Sequence, residues 1–309
     1  MTAACPVRID IGVCTFRRPE LEQTLLSLAA IAVPQGATLH IIIADNDATP
    51  SAGPRVDALR SAVPHEITYV HCPASNISIA RNACLEHARG NFLAFIDDDE
   101  TASTNWLVHL MEKAVATGAD VVLGPVRAHY REGAPGWMRR GDFHSTFPVR
   151  VGTDYLTGYT CNALLRLQAP SLAGRRFNLA LGRSGGEDTE FFTQMHRMGG
   201  KIAYAPEAWV HEPVPASRAS LAWLAKRRFR AGQTHGRLIA NPGFSGRLKN
   251  LALAGAKCTY CAAAALISAF SPVNRWRYGL RAALHAGVVS GLLGVREIEQ
   301  YGTLEATPR

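Results

Sequence analysis

The sequence predicts an α/β protein with a doubly wound, mainly parallel β-sheet and a C-terminal helical appendage. Apolar, β-branched segments alternate with amphipathic helical segments four times within residues 8–117. This alternation is typical of a parallel sheet with right-handed crossovers. Three of the predicted strands end in polar or acidic residues, and the last third of the chain is basic and helical in pattern.

The individual elements follow from short apolar runs for strands and from helical spacing of apolar residues for helices. Asn76 or Ser78 is the expected cap of the third helix. A long loop is expected over 133–148 and extended chain over 155–166, and Gly199 should end the last helix before the basic region. The predicted strands are 8–16, 39–44, 67–71, 92–96, 120–124, 126–130, 201–205 and 208–211, and the predicted helices are 20–31, 51–62, 79–89, 105–117 and 188–198.

The strand at 92–96 runs directly into four acidic residues, Asp97 to Glu100. Ligands bind at the carboxyl edge of open α/β sheets, and adjacent carboxylates repel one another unless a cation neutralises them. The run therefore favours a divalent-cation site, and an acidic surface loop that caps the next helix is the alternative. The chain has neither a dinucleotide fingerprint nor a P-loop, so any nucleotide would be bound by aspartates and a metal.

The composition is that of a folded intracellular protein. Of its 309 residues, 47% are hydrophobic and 19% are charged, which excludes a disordered chain. Seven cysteines are scattered through the sequence, and residues 1–10 have no apolar leader segment. Reduced thiols in the cytoplasm are therefore expected.

Charge divides the chain into two predicted domains, 1–217 and 218–309. The first holds 19 Lys and Arg against 22 Asp and Glu, and the second holds 14 against 3, for net charges of −3 and +11. The basic region therefore favours an anionic partner. Two apolar segments in it, 251–270 and 276–293, are interrupted by charged or polar residues, so neither is a clean membrane span. They predict either an amphipathic pair on an anionic membrane surface or a soluble helical hairpin.

A set of short motifs occurs in a characteristic order. The motifs are Val13–Phe16, Asp45, Ile79–Asn82, Phe95–Asp99, Gly185–Asp188 and Trp209–His211. In this order the motifs resemble the family 2 glycosyltransferases of GT-A fold, most of all the bacterial exopolysaccharide branch that includes succinoglycan glucosyltransferases. The resemblance covers roughly residues 6–235, and it implies a nucleotide-sugar donor, a divalent metal (Mg²⁺ or Mn²⁺) and inversion at the anomeric carbon.

The resemblance also implies roles for individual side chains. Asp188 would be the catalytic base, although an acidic residue there also suits a helix N-terminus. Asp99 and His211 would bind the metal, with a packed histidine beside Trp209 as the alternative for His211. Glu187 and Asn162 would contact the acceptor. The donor-binding residues would be Thr15, Phe16, Arg18, Asp45, Arg81, Asp97 and Asp98.

The expected activity is thus transfer of a sugar from a nucleotide-sugar donor, with a UDP-sugar as the expected donor, to a glycan or lipid-linked acceptor in polysaccharide biosynthesis. The expected location is the cytoplasm, peripheral to the inner face of the cytoplasmic membrane, and no nucleic-acid partner is expected. A metal-dependent nucleotidyltransferase is one alternative, but it would usually need a Gly-rich, Lys-containing phosphate loop. A non-catalytic membrane or nucleic-acid-binding protein is the other, and it leaves the carboxylate clusters unexplained.

Overall fold

A computed structural model of the chain describes residues 7–240 and 243–296. The described chain forms two compact units. The first contains residues 7–127 and 146–212, and the second contains residues 128–145 and 213–296.

Strands and helices alternate through the first unit, and helices dominate the second. The strands are β1 (Val7–Thr15), β2 (Ala37–Asp45), β3 (Glu66–His71), β4 (Phe92–Asp97), β5 (Thr101–Ala102), β6 (Val121–Leu123), β7 (Val126–Tyr130), β8 (Arg150–Val151), β9 (Asp154–Tyr155), β10 (Asn162–Arg166), β11 (Ile202–Tyr204) and β12 (Val210–Val214). The helices are α1 (Leu21–Ala29), α2 (Gly53–Leu59), α3 (Ile77–His87), α4 (Trp106–Thr117), α5 (Gly136–Gly141), α6 (Glu187–Arg197), α7 (Leu221–Leu238), α8 (Gly243–Ile267) and α9 (Pro272–Leu292).

The first unit is built on a seven-stranded sheet in the order β11-β6-β10-β4-β1-β2-β3. Neighbouring strands are parallel from β4 through β1 and β2 to β3, and β11 is parallel to β6. Only β10 runs against its neighbours, pairing antiparallel with both β4 and β6. The predicted α/β fold with a mainly parallel sheet is therefore confirmed.

Helices cover both faces of this sheet, because alternate strand residues point to opposite sides. On one face Ile9, Ile11 and Val13 pack in a cluster with the apolar sides of α1 and α4. On the other face Leu93 and Phe95 pack in a second cluster with α3 and α6. Two buried layers thus fix the sheet edge from which the polar loops emerge.

Two predicted segments differ from the structure. The predicted loop 133–148 contains the short helix α5, because Trp137 and Met138 pack into an apolar cluster within the second unit, and tertiary packing of this kind stabilises helices too short to form alone. The predicted extended segment 155–166 is interrupted, and only its two ends are strands.

Within the second unit, α7 and α9 approach each other closely through glycines. A methyl group on Gly232 would lie 2.0 Å from the carbonyl oxygen of Leu284, and one on Gly287 would lie 1.9 Å from that of Phe229. Gly236 and Gly291 make similar approaches one turn further along. No larger residue fits these positions at this helix separation.

Helix α8 exposes most of its apolar surface. By length and composition alone, its segment Ser245–Ile267 could cross a membrane, since its mean hydropathy is 1.3. Only 11% of its most apolar stretch is buried. Leu266 and Ile267 are exposed at its C-terminal end, and Phe270 follows them fully exposed.

Candidate active site

The sheet register brings three polar strand ends to one edge. Thr15 at the end of β1 lies beside Asp45 at the end of β2, and Cys14 lies beside Asp97 at the end of β4. The common carboxyl edge expected from the sequence is therefore present.

The loop after β1 closes on the acidic turn after β4. The backbone N–H of Phe16 donates to Oδ2 of Asp98 at 3.4 Å. The Arg18 guanidinium lies 4.0 Å from Oδ1 of Asp98 and 3.7 Å from Oδ2 of Asp99. Two predicted donor-binding residues are thus adjacent to the predicted metal-binding turn.

Crowding of the carboxylates disfavours their charged forms. Burial raises the pKa of Asp98 to about 8, and the neighbouring charge of Asp99 adds to this effect. Burial also raises the pKa of Asp97 to about 6; the Arg81 guanidinium opposes this rise, while nearby carboxylates including Asp99 and Glu212 add to it. A cation placed here would relieve this repulsion.

Glu100 holds the acidic turn together, a role that the sequence analysis does not predict. Its Oε2 accepts a hydrogen bond from the N–H of Asp97 at 3.1 Å, and its own N–H donates to the carbonyl of Asp97 at 3.2 Å. The side chain is buried, and burial raises its pKa well above the usual range, with further contributions from Asp97 and Glu212.

A second acidic pair lies at the start of α6. Gly185 and Gly186 precede it with φ of 85° and 92°, in the left-handed region that glycine adopts without strain. Gly186 is the N-cap of α6 and has no side chain that could cap it. Asp188 is half-buried, and its Oδ1 accepts from the N–H of Thr189 at 2.6 Å.

Arg81 links the two acidic groups. It comes from α3, whose N-cap is Asn76, and it forms a buried ion pair with Glu187. Burial alone would lower the pKa of the Arg81 guanidinium, but the charges of Glu187, Asp188 and Asp97 outweigh burial and raise it. The arginine is therefore a permanent positive charge between the acidic turn and the start of α6.

The carboxylate of Asp45 is hydrogen-bonded to groups within the protein. The side chain is fully buried, and its oxygens accept hydrogen bonds from the N–H groups of Asp47 and Ala52 at 3.1 and 2.9 Å and from the Tyr69 hydroxyl at 2.7 Å. These bonds fix the turn after β2. This is a structural role for Asp45, and the donor contact that the resemblance implies stays a prediction.

Asn162 is likewise used internally. Its amide oxygen accepts from the Trp106 indole N–H at 2.8 Å, and its amide nitrogen donates to the carbonyls of Pro125 and Ala208 at 2.9 and 2.7 Å. The residue is 1% exposed. The structure thus gives Asn162 a packing role in place of the predicted acceptor contact, because no polar atom of the side chain is left for a ligand.

His211 is placed near the acidic turn by strand pairing. Strand β12 runs antiparallel to β5, with His211 opposite Thr101, which directly follows Glu100. Its side chain is half-buried. The next residue, Glu212, acts electrostatically on Asp97 and Glu100. The sequence prediction missed Glu212, because the pairing of two strands that are more than 100 residues apart leaves no local pattern.

The side chains at this edge suit a hard divalent cation, which takes carboxylate oxygens as ligands. In the described residues, no group of three or more His, Cys, Asp or Glu side chains converges closely enough to hold an ion. A cation of the Mg²⁺ type is commonly held by one or two carboxylates together with substrate phosphates. The acidic turn fits that mode of binding.

Comparison with known proteins assigns the chain to a family. The sequence profile described as "Glycosyl transferase family 2" matches residues 10–177, more than half of the chain. The chain belongs to glycosyl transferase family 2. A full-length relative is the Succinoglycan biosynthesis protein ExoM of Rhizobium meliloti (strain 1021), which is 64% identical over 302 residues, covering 97% of this chain and 98% of the relative.

Solved structures support the GT-A fold expected of a family 2 glycosyltransferase. The mannosyltransferase PcManGT from Pyrobaculum calidifontis, solved with GDP-Man and Mn²⁺, aligns with a TM-score of 0.63 at 19% identity, over 94% of this chain and 88% of its own. S. aureus TarS 1-349 in complex with UDP-GlcNAc aligns with a TM-score of 0.52 at 16% identity, over 95% and 98%. This chain covers only 42% of the length of a longer S. aureus TarS structure. At these identities the likeness shows the fold.

Proposed function

We propose that this family 2 glycosyltransferase is an inverting, metal-dependent enzyme that transfers a sugar from a UDP-sugar to a glycan or lipid-linked acceptor in exopolysaccharide biosynthesis. The observation that carries the proposal is the meeting of the acidic turn Asp97–Glu100, Arg81 and Asp188 at one edge of the sheet. The 64% identical relative named for succinoglycan biosynthesis supports the polysaccharide context.

The donor is bound at the loop after β1 and the acidic turn. Phe16 and Arg18 lie against Asp98 there, and the positive charges of Arg18 and Arg81 suit a diphosphate. The fold neighbours carry both UDP- and GDP-sugars, so the choice of UDP rests on the resemblance to the exopolysaccharide branch.

Asp99 is the residue that would hold a divalent cation, with His211 close by on β12. When bound, the cation would neutralise charge on the departing nucleoside diphosphate. Asp97 and Asp98 would then hold the donor against it. The Mn²⁺ in the mannosyltransferase of the same fold makes Mn²⁺ the first ion to test.

Asp188 takes the proton of the attacking acceptor hydroxyl. Two features support this role: its position in the first turn of α6 and its partial exposure. A single displacement by that hydroxyl inverts the anomeric carbon, and one carboxylate in hydrogen-bond reach is sufficient for it. Glu187 is committed to Arg81 and positions that guanidinium, while its Oε2 has no hydrogen-bond partner among the described residues.

The second unit docks the enzyme on an anionic membrane surface. Its helix α8 presents exposed apolar residues such as Leu253, Tyr260 and Ile267, and Lys257 is exposed on the same helix. Apolar surface combined with basic side chains is typical of helices that lie at the membrane interface. Docking places the protein beside lipid-linked acceptors.

A panel of nucleotide sugars tests the proposed activity. The purified protein is incubated with UDP-, GDP- and TDP-sugars in Mn²⁺, Mg²⁺ or EDTA, and release of the nucleoside diphosphate is measured. We expect turnover of a UDP-sugar with metal and none in EDTA. When a glycan or lipid-linked acceptor is added, we expect a β-linked product from an α-linked donor by NMR. Metal-independent turnover, or a product that retains the donor's configuration, would refute the proposal.

A further inference from the structure

The second unit contains a pocket of about 250 Å³ that the proposed transfer reaction does not use. This volume is several times the roughly 30 Å³ that one water molecule occupies in the liquid. The pocket is formed by the end of α5 and by facing sides of α7 and α9. Its lining residues are Gly141, Asp142, Phe143, Arg228, Arg277, Leu280, Arg281 and Leu284.

The polar part of the lining is strongly basic. Arg277 and Arg281 are exposed and lie one turn apart on α9, and among the described residues neither forms an ion pair with a carboxylate. Arg228 donates to the carbonyl of Phe143 at 3.3 Å. The single carboxylate of the lining, Asp142, already accepts from the Ser145 hydroxyl at 2.6 Å. The lining therefore carries two guanidinium charges, those of Arg277 and Arg281, for which the described carboxylates provide no ion pair.

The remaining part of the lining is apolar. Phe143 and Leu280 are buried, and they belong to the cluster that also contains Met138 and Leu224. The exposed residues Leu266, Ile267 and Phe270 immediately precede α9, the helix that supplies two of the three arginines. The pocket therefore combines a site for an anion with an apolar wall, and exposed apolar residues precede α9 along the chain.

We propose that this pocket binds the diphosphate group of a lipid-linked molecule. Guanidinium groups match phosphate oxygens with paired hydrogen bonds, which makes arginine the preferred residue for phosphate recognition. A diphosphate diester carries one negative charge on each phosphate, which matches the two charges of Arg277 and Arg281, whereas a phosphodiester phospholipid carries only one. The identification of this ligand with the acceptor rests on the proposed function; the binding itself does not.

A soluble diphosphate diester, farnesyl-diphosphate-glucose, is the probe. Its binding to the full-length protein is measured by calorimetry in EDTA, where the metal-dependent donor site is not expected to contribute. Short-chain phosphatidylglycerol and inorganic pyrophosphate are measured alongside it. Arg277→Gln and Arg281→Gln test the pocket, and Arg275→Gln is the matched control, because it removes the same charge from an exposed position on α9 outside the lining. Thermal melting verifies that each variant is folded.

Saturable binding of the diphosphate diester is expected, with each pocket variant weakening it about tenfold and the control leaving it within about twofold. Pyrophosphate and phosphatidylglycerol should bind more weakly than the probe. Equal losses in all three variants would show diffuse charge attraction and overturn the proposal, as would equal or tighter binding of phosphatidylglycerol. Donor hydrolysis by the wild-type protein is measured in parallel. If hydrolysis is absent while the probe still binds, the proposed function fails and the pocket stands.

Discussion

Asp188 is the residue on which the proposed chemistry depends. Asn has nearly the same shape but cannot accept the hydroxyl proton, so we expect Asp188→Asn to lower transfer about 10²–10⁴-fold. Binding of UDP and metal should be unchanged. Because Asn keeps an Oδ1 that can accept from the N–H of Thr189, a loss of activity cannot be attributed to a lost hydrogen bond at the start of α6. Steady-state rates and UDP titration measure the two effects.

Glu187→Gln is the matched control for Asp188. Glu187→Gln should weaken the buried ion pair with Arg81. We therefore expect it to lower the affinity for the donor more than the rate of transfer. If Glu187→Gln abolishes transfer while Asp188→Asn remains active, the base has been assigned to the wrong carboxylate.

A substitution at Asn162 distinguishes a packing role of this side chain from a role in acceptor binding. Asn162→Ala leaves the Trp106 indole and two backbone carbonyls without a buried partner, so we expect a loss of about 2–4 kcal/mol in the free energy of unfolding. Urea titration measures it. Asn105→Ala is the control, since that exposed side chain makes no capping hydrogen bond, and it should stay within about 0.5 kcal/mol of wild type. A stable Asn162→Ala variant with a raised KM for acceptor would restore the acceptor role.

The residues whose roles changed between sequence and structure share one physical cause. A motif shows that a polar residue stands at a strand end, but not whether its hydrogen bonds are met from within. The Asp45 carboxylate accepts hydrogen bonds from Ala52, which a turn brings back to it, and from Tyr69, which is distant in sequence. The Asn162 amide oxygen accepts from Trp106, which is also distant in sequence. Glu212 was missed for the related reason that the register of β5 and β12 is set by tertiary contacts.

At the scale of elements, β1 is anchored to the turn before β4 by a buried carboxylate. Asp10 accepts from the N–H groups of Arg89 and Gly90 at 2.7 and 2.6 Å, and from His40 Nδ1 at 2.8 Å. Burial by itself would raise the pKa of Asp10, but the hydrogen bonds from Gly90, His40 and Arg89 outweigh it and lower the pKa below 3.8.

Asp10→Asn should therefore lower the free energy of unfolding by about 2–4 kcal/mol at neutral pH. Since the folded pKa lies below the unfolded value of 3.8, the stabilisation is fully present above that value and is lost as the pH falls through the folded pKa. Urea unfolding at pH 7, 5 and 3 measures the difference from wild type, which should shrink only at the lowest pH. Asp57→Asn, at an exposed ion pair with Arg60, is the control. A difference that does not change with pH would show that Asp10 is not charged.

Most elements were predictable because their patterns are local. Strands β1 to β4 are bounded within two residues of the predicted positions, since apolar runs between polar residues mark their ends. The short helix α5 could not be predicted, because six residues are too few to show a helical period. Its stability comes from packing against Leu224 and Leu280, which are distant in sequence.

For the molecule as a whole, the net charge of the basic region and the exposed face of α8 predict membrane association. Flotation with anionic and neutral liposomes at low and high salt measures it. Binding to anionic vesicles should weaken with salt, as each Lys or Arg near the surface adds about 1 kcal/mol. Ile267→Ser should reduce binding because Ile267 is exposed on α8, whereas Val115→Ser, at an exposed position on α4, should not. Absence from anionic vesicles at both salt concentrations would support a soluble helical hairpin.

The central claim is that the acidic turn after β4 binds a divalent cation together with the donor's diphosphate. Its most direct measurement is the affinity for UDP across a Mn²⁺ titration, for the wild-type protein and for Asp99→Ala. Asp154→Ala is the control, because Asp154 is exposed and lies outside this turn. We expect UDP to bind more tightly as Mn²⁺ rises in the wild type and the control, and this dependence to be lost in Asp99→Ala with the fold intact. UDP affinity that does not change with Mn²⁺ in the wild type, or a Mn²⁺ dependence that survives in Asp99→Ala, would contradict the claim.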